Sequence, residues 1–357
     1  MSVFDHKEFD QHEQVSFFNC PDTGLRAIIA VHNTHLGPAL GGCRMWAYEN
    51  DEQALNDVLR LSRGMTYKAA ITGLPLGGGK SVIIGDKKTK TAEMMRAMGR
   101  AVDTFGGNYI VAEDVGTTVE DMNNVSSQTK HVVGVLHGGQ GSGDPSPTTA
   151  LGVFTGLKAG VRYRLGKDSV KGLTVAVQGL GNVGYNLCRY LHEEGAKLVV
   201  TDIATDKVDL AGREFGATPV ALNSIYDIEA DVFAPCALGG GLNDDTITRL
   251  KTPVIAGAAN NQLLEARHGD MLREKQMLYA PDYVINAGGL ISVYYEHEAR
   301  NTNKTYDRQK VLDHVAKIDA TVTSIFERAD AEDISTSLAA DRIAEGRFKS
   351  KAACKAA

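Results

Sequence analysis

Between Leu173 and Asp202 the chain reads LTVAVQ, then GLGNVGYNLCRYLHEEG, then a further apolar run, KLVVTD. A β-branched run, a turn with three spaced glycines, an amphipathic stretch stopping at Gly195 and a second β-branched run give the order strand, helix, strand. Such a unit is built right-handed into a parallel sheet. The glycines, Gly179, Gly181 and Gly184, suit a tight turn that brings backbone close to a pyrophosphate. Asn182 and Val183 then open a helix whose free N–H groups favour an anion. A lone GxGxxG is weak, and a glycine-rich turn without a ligand is the competing account. Asp202, at the end of the following strand, strengthens the ligand reading, because a carboxylate there accepts hydrogen bonds from ribose hydroxyls. It repels an added 2′-phosphate, and no arginine follows it in TDIATDK, so NAD rather than NADP is expected.

The rest of the chain fits two α/β domains, an N-terminal substrate domain and a Rossmann-type doubly wound NAD domain, separated by a cleft. In the first half, Leu25 to Val31 is strand-like, Asn50 or Asp51 caps an amphipathic helix that carries Met65 and Lys68 on one side, and LPLGGGK reads as a glycine-rich turn feeding a strand from Ser81 to Ile84. A strand from Tyr109 to Ala112 delivers Glu113 and Asp114, and Thr118 with Asp121 forms a capping box. Glycine, serine and proline displace any periodic pattern in GGQGSGDPSP. That change marks the boundary: residues 1–142 form the substrate-binding and catalytic domain and 143–329 the NAD domain, with helices over about 330–357 packing back on the first. Short apolar runs at Ala230 to Phe233, Pro253 to Ile255, Leu278 to Ala280 and Val284 to Ile285 suit interior strands of a parallel sheet.

Composition narrows the function. The 357 residues carry a formal charge of −6, which offers no basic field for nucleic acid. The polar, acidic N-terminal stretch and the lack of any apolar run of spanning length point to a cytoplasmic protein without membrane partners. Cys20, Cys43, Cys188, Cys236 and Cys354 are scattered and fit reduced thiols, and the His32/His35 pair in HNTH has no further ligand types beside it, so no metal is expected.

Lys68 and Lys80 flank the glycine-rich turn, with Asp114 at a strand end beyond. Lysines are ordinarily solvated surface charges, and spacing alone leaves that account open. The motifs LGPALGGCRMW, SRGMTYKAA, LPLGGGKSVI, AEDVGTTVEDM, PSPTTALGV, VQGLGNVG, APCALGG, GAANNQL and YAPDYVINAGG follow one another in this order. With them the chain resembles the glutamate, leucine, phenylalanine and valine dehydrogenase family over nearly its whole length, most closely the leucine branch. Cys43 departs from it, where that branch is expected to have threonine.

The resemblance implies oxidative deamination of an amino acid to its 2-oxo acid and ammonia, reversibly, in a homo-oligomer, either an octamer or a dimer. It makes Lys80 the catalytic base, Lys68 the partner of the substrate carboxylate and Asp114 the proton acceptor near the amine. Gly41, Gly42 and Met65 would complete the head-group pocket, and Leu40, Ala112, Leu290 and Val293 would form the side-chain wall. Around the nicotinamide and its ribose it implies Thr149, Ala237, Asn260 and Asn286, although the two asparagines read equally well as turn residues bonding their own backbone. Two ammonium groups close together repel, and burial adds to this, so one lysine is expected to titrate low enough to serve as a base. The apolar wall favours leucine, valine and isoleucine. Phenylalanine or another aromatic amino acid is the alternative, because Leu290 is bulkier than the valine expected there, and a non-catalytic NAD sensor is a remote one.

Overall fold

The computed structural model describes residues 2–135 and 143–355, with side chains as far as residue 349. Two compact units emerge: Met1–Gly143 with Val293–Tyr306 and Ala344–Ala357, and Asp144–Ser292 with Asp307–Ile343.

In the first unit, β1 (Gln14–Cys20), β2 (Leu25–Asn33), β3 (Ala39–Trp46), α1 (Asp51–Ile71), β4 (Gly77–Ile84), α2 (Ala92–Asp103), β5 (Tyr109–Glu113) and α3 (Val119–Ser126) follow in order. Asn50 caps α1 by accepting from the Gln53 N–H, and Thr118 with Asp121 closes the expected capping box on α3. The sheet runs β1-β2-β4-β3-β5, antiparallel from β1 to β4 and parallel among β4, β3 and β5. Alternation along the strands splits the core. Ile28, Ala30 and Val82 face Ala54, Val58 and Leu59 of α1, while Ala27, Ile29, Val31 and Ile83 face the methionines of α2.

The expected turn in LPLGGGK is instead the start of β4, which begins at Gly77. Its glycines serve close approach and not a turn. A Cβ on Gly77 would stand 2.0 Å from the Asn33 carbonyl oxygen, one on Gly78 2.0 Å from the Thr66 nitrogen, and one on Gly79 2.6 Å from the Tyr109 ring.

The second unit begins with α4 (Ser146–Leu165) and continues through β6 (Thr174–Gln178), α5 (Asn182–Glu193), β7 (Lys197–Thr201), α6 (Thr205–Phe215), β8 (Thr218–Pro219), β9 (Val232–Pro235), α7 (Asp244–Arg249), β10 (Val254–Ile255), α8 (Arg267–Glu274), β11 (Leu278–Tyr279) and α9 (Asp282–Ile285). All its strands are parallel, in the order β11-β10-β9-β6-β7-β8, the doubly wound arrangement. The run Val284 to Ile285, expected as a strand, is part of helix α9. Two apolar residues fix no period, and the preceding Pro281 and Asp282 open a helix.

Four helices close the chain: α10 (Gly288–Asn301), α11 (Arg308–Ala316), α12 (Ile318–Glu332) and α13 (Thr336–Lys355). Their distribution differs from the expected domain limits. Val293–Tyr306 groups with the first unit, where Glu296 accepts from the Gly134 N–H at 3.0 Å and Arg300 donates to the Val132 carbonyl at 2.8 Å. Residues 330–343 stay with the second, tied by Thr336 to the Tyr279 carbonyl and by Tyr283 to Asp341. Only the end of α13 groups with the first unit, through Tyr67 to Glu345 and Arg347 to the Ala70 carbonyl. The expected limit after residue 142 abuts 136–142, which lie outside the described residues.

Candidate active site and nucleotide site

The pleat of the first sheet puts Leu40 and Gly42 of β3, Gly78 and Lys80 of β4 and Ala112 of β5 on one face, since Leu40 pairs with Gly78 and Gly42 with Ala112. That face is the one against α1, whose C-terminal half carries the half-buried Met65 and Lys68. Lys80, only 6% exposed, places its Nζ in direct contact with Asp114 Oδ2. Asp114 follows the end of β5 and is held from behind. Its N–H donates to Thr117 Oγ1 at 2.9 Å, and that hydroxyl donates to the Cys43 carbonyl of β3 at 2.9 Å. Gly42 leaves room for it, because a Cβ there would lie 2.7 Å from the Asp114 Cβ.

Two charged partners of this pair escaped the sequence reading. Arg44 Nε lies 3.4 Å from Asp114 Oδ2, while its Nη1 grips both oxygens of Asp57 at 2.9 and 3.2 Å. Asp57 also accepts from the Tyr48 hydroxyl at 2.6 Å. Arg44 stands two positions beyond Gly42 in GGCRMW, so strand β3 puts it on the same face, although its partners are distant in sequence. Burial alone would raise the Asp114 pKa, but the charges of Lys80 and Arg44 and the hydrogen bond from Lys80 outweigh it and hold the carboxyl below its ordinary value. Cys43 is fully buried, and burial pushes its thiol up to about 12. Gly41 and Gly42 pair with Val111 and Ala112 in the sheet, and the Gly41 carbonyl also accepts from the Tyr109 hydroxyl at 3.0 Å. Much of their main-chain hydrogen bonding is therefore directed within the sheet. Of the expected side-chain wall, Leu40 and Ala112 lie here, Val293 lies in the first unit on α10, and Leu290 belongs to the second.

In the second unit the expected nucleotide residues gather at the carboxyl ends of the parallel strands. Gly179, which follows β6, has φ +99°, and a Cβ on it would meet the Ala237 nitrogen at 2.8 Å. Gly181 begins α5 with no side-chain cap, and among the described residues no atom lies within 4 Å of where its Cβ would stand. A Cβ on Gly184 would press the Gly179 carbonyl at 2.0 Å. The result is an uncapped helix start beneath open backbone, which fits a pyrophosphate. Asn182 is exposed and Val183 half-buried in the first turn.

Asp202 follows β7, and its two oxygens accept from the Leu180 N–H at 2.5 Å and the Ala204 N–H at 2.8 Å, so it also steadies the glycine turn. Asn286 donates to Asn260 Oδ1 at 2.7 Å and to the Ala258 carbonyl at 3.0 Å, which joins the two asparagines to each other. The buried Gln262 keeps that loop in shape by donating to the Gly257 and Ala259 carbonyls at 2.8 and 3.0 Å. Thr149 lies in the first turn of α4, its hydroxyl donating to the Pro145 carbonyl at 3.0 Å.

Comparison with known proteins bears on both units. Residues 12–131 match the model of the Glu/Leu/Phe/Val dehydrogenase dimerisation domain, and 138–205 with 200–353 match that of the glutamate/leucine/phenylalanine/valine dehydrogenases. A leucine dehydrogenase of Bacillus subtilis is 52% identical over 98% of this chain and 94% of its own length. A phenylalanine dehydrogenase of Bacillus thermotolerans is 48% identical over 97% of this chain and 90% of its own. The crystal structure of L-tryptophan dehydrogenase from Nostoc punctiforme superposes with a TM-score of 0.81 at 48% identity, covering 96% of this chain and 97% of that one.

Proposed function

The chain belongs to the glutamate/leucine/phenylalanine/valine dehydrogenase family, and from that premise we propose that it uses NAD to deaminate branched-chain aliphatic L-amino acids, leucine, valine and isoleucine, to their 2-oxo acids and ammonia. The observation that carries this reading is the contact of buried Lys80 with half-buried Asp114 beside a sheet face shared by Lys80 with the apolar Leu40 and Ala112. Charge is set at the reacting end and hydrocarbon beside it. A glutamate side chain against Leu40 and Ala112 loses solvation without gaining a partner.

In this proposal the first unit binds and transforms the substrate and the second holds the dinucleotide. Gly179, Gly181, Asn182, Val183 and Gly184 cradle the pyrophosphate, Asp202 takes the adenine ribose, and Thr149, Ala237, Asn260 and Asn286 surround the nicotinamide end. Once the substrate ammonium has given one proton to water, bound nicotinamide supplies the hydride acceptor for the substrate Cα, which leaves the iminium. The Lys68 ammonium holds the substrate carboxylate, with Gly41, Gly42 and Met65 around the head group, and Leu40, Ala112, Leu290 and Val293 receive the side chain. Contact between Lys80 and Asp114 gives a path for the Lys80 proton to pass to Asp114. The freed amine then takes a proton from water as that water adds to the substrate iminium carbon. Asp114 returns its proton to the nitrogen and, ionised again, takes the hydroxyl proton as the carbinolamine collapses to 2-oxo acid and ammonia.

A kcat/KM series over leucine, isoleucine, valine, phenylalanine, tryptophan and glutamate tests the substrate. Branched aliphatic substrates are expected to lead, with glutamate rejected; an acidic winner overturns the pocket assignment. An aromatic substrate is the second reading, favoured by the similarity to tryptophan and phenylalanine dehydrogenases at nearly the same identity. An added or missing methylene is worth only ~1–3 kcal/mol, so the aliphatic substrates are expected to separate modestly.

The cofactor choice rests on Asp202. In Asp202→Ala, kcat/KM for NAD falls and the preference for NAD over NADP narrows, and because Asp202 also holds the Leu180 and Ala204 amides, some affinity for both is lost. Equal use of both cofactors by the wild type refutes this reading. A cytoplasmic location is part of the proposal, supported by the observation that no helix of the described residues is long and apolar enough to cross a membrane. So is a homo-oligomer, octamer or dimer, supported by the dimerisation-domain match and checked by light scattering of the purified chain.

A further inference from the structure

We infer that Arg44 is a positioning residue for this reaction: anchored on Asp57, its guanidinium holds the Asp114 carboxylate in register with Lys80. The inference rests on the proposed role of Asp114 as proton acceptor.

The geometry uses two separate edges of one side chain. Nη1 is committed to both oxygens of Asp57, which projects from α1, while Nε faces Asp114 at 3.4 Å. Tyr48 donates to Asp57 at 2.6 Å and fixes the anchor in turn. Arg44 is therefore tied to a helix, through Asp57, and to the loop beyond its own strand, through Tyr48. Its free direction points at the carboxylate. A lysine in its place brings one ammonium, which cannot both hold Asp57 and face Asp114 from a second nitrogen.

Asp114 is otherwise set by its backbone through Thr117, by a hydrogen bond from the Val115 N–H to its carboxylate and by its contact with Lys80. When the Lys80 proton passes to Asp114 during turnover, that contact weakens. Arg44 is the charged partner that does not change during the cycle, because a guanidinium stays charged. The groups facing Asp114 are Lys80 from β4, Arg44 and Cys43 from β3, Tyr48 from the loop after β3 and Tyr109 from β5. Burial raises Cys43, Tyr48 and Tyr109 and keeps them neutral, so Lys80 and Arg44 supply the positive charge.

The test is the pH dependence of kcat and kcat/KM for leucine in wild type, Arg44→Gln, Arg44→Lys, Asp57→Asn and Asp114→Asn, with NADH binding followed by fluorescence as a measure of the intact second unit. Asp114 must be ionised to accept a proton, so activity falls as pH drops through its pKa. Arg44→Gln moves that acid limb to higher pH and lowers kcat. Arg44→Lys keeps the limb near its wild-type position but lowers kcat by about 10- to 100-fold through misplacement. Asp57→Asn lowers kcat without an upward shift, because the charge removed is negative.

An Asp114→Asn protein that turns over normally defeats the site reading itself. An inactive Asp114→Asn beside an Arg44→Gln with wild-type kcat and acid limb overturns the role of Arg44 alone. If Arg44→Gln does not fold, unchanged kcat in both Arg44→Lys and Asp57→Asn overturns it equally.

Discussion

Around Gly77, Gly78 and Gly79 the space of the missing side chains is filled by protein: a carbonyl of β2, the backbone of α1 and a ring of β5. Around Gly181 the same space is open. The two segments, LPLGGGK and GLGNVG, look alike as strings. The first uses glycine to bring chain against chain, and thereby sets Lys80 against its sheet neighbours. The second uses glycine to leave an uncapped helix start accessible, which is what a phosphate needs. Glycine content alone does not distinguish a packed strand from a ligand cradle; what stands where the Cβ would be does.

Separating the chemistry of one unit from the binding of the other gives the largest expected effect. Lys80→Ala lowers kcat by about 10²- to 10⁴-fold while NADH affinity, read by fluorescence titration, stays near wild type. Parallel loss of both breaks the division of labour, and retention of kcat removes Lys80 from the mechanism.

The glycines themselves come next. Gly78→Ala drives a methyl into the Thr66 backbone and destabilises the protein by about 3 kcal/mol, seen as a lowered midpoint in urea. Gly181→Ala, at φ −63°, costs no more than about 1 kcal/mol of stability but weakens NADH binding. Equal stability losses at the two positions erase the contrast.

The smallest effect concerns acid. His32 is buried in the first unit, its Nδ1 2.8 Å from Thr66 Oγ1, and burial, with the neighbouring His12, lowers its pKa from 6.5 to about 4. A histidine whose folded pKa is depressed contributes stability above its unfolded pKa and loses it as pH falls towards the folded value. The melting temperature therefore declines between pH 6.5 and about 4, and the decline flattens in His32→Gln. Identical slopes in the two proteins exclude His32 as the source.

Much of the second unit was legible because its signals are local. Strand, turn, helix and Asp202 lie within one continuous stretch, and each element's period is long enough to read. The first unit was legible in parts. The caps at Asn50 and Thr118 depend on side chains next to the helices they start, and both form. The strand identity of Gly77 to Gly79 depends on Asn33, Thr66 and Tyr109, which are distant in sequence, and so does the Arg44 network through Asp57 and Asp114. The pairing of Asn260 with Asn286 was open for the same reason. Helix α10 divides between the units because Glu296 and Arg300 bond to residues 132 and 134, a choice no periodicity records.

The filled spaces along β4 also restrict how such an enzyme can change. Three successive positions each abut a different element, so a larger residue at any of them calls for compensation in β2, α1 or β5 at the same time. Single substitutions have no gradual route through that stretch, and the lysine that follows inherits its fixity. Ala112 is different: it shares the face and is only half-buried. Under the proposed pocket assignment, new substrate preferences are therefore most accessible to evolution, or to a library, at Ala112, while the triglycine stays as the immovable floor of that face.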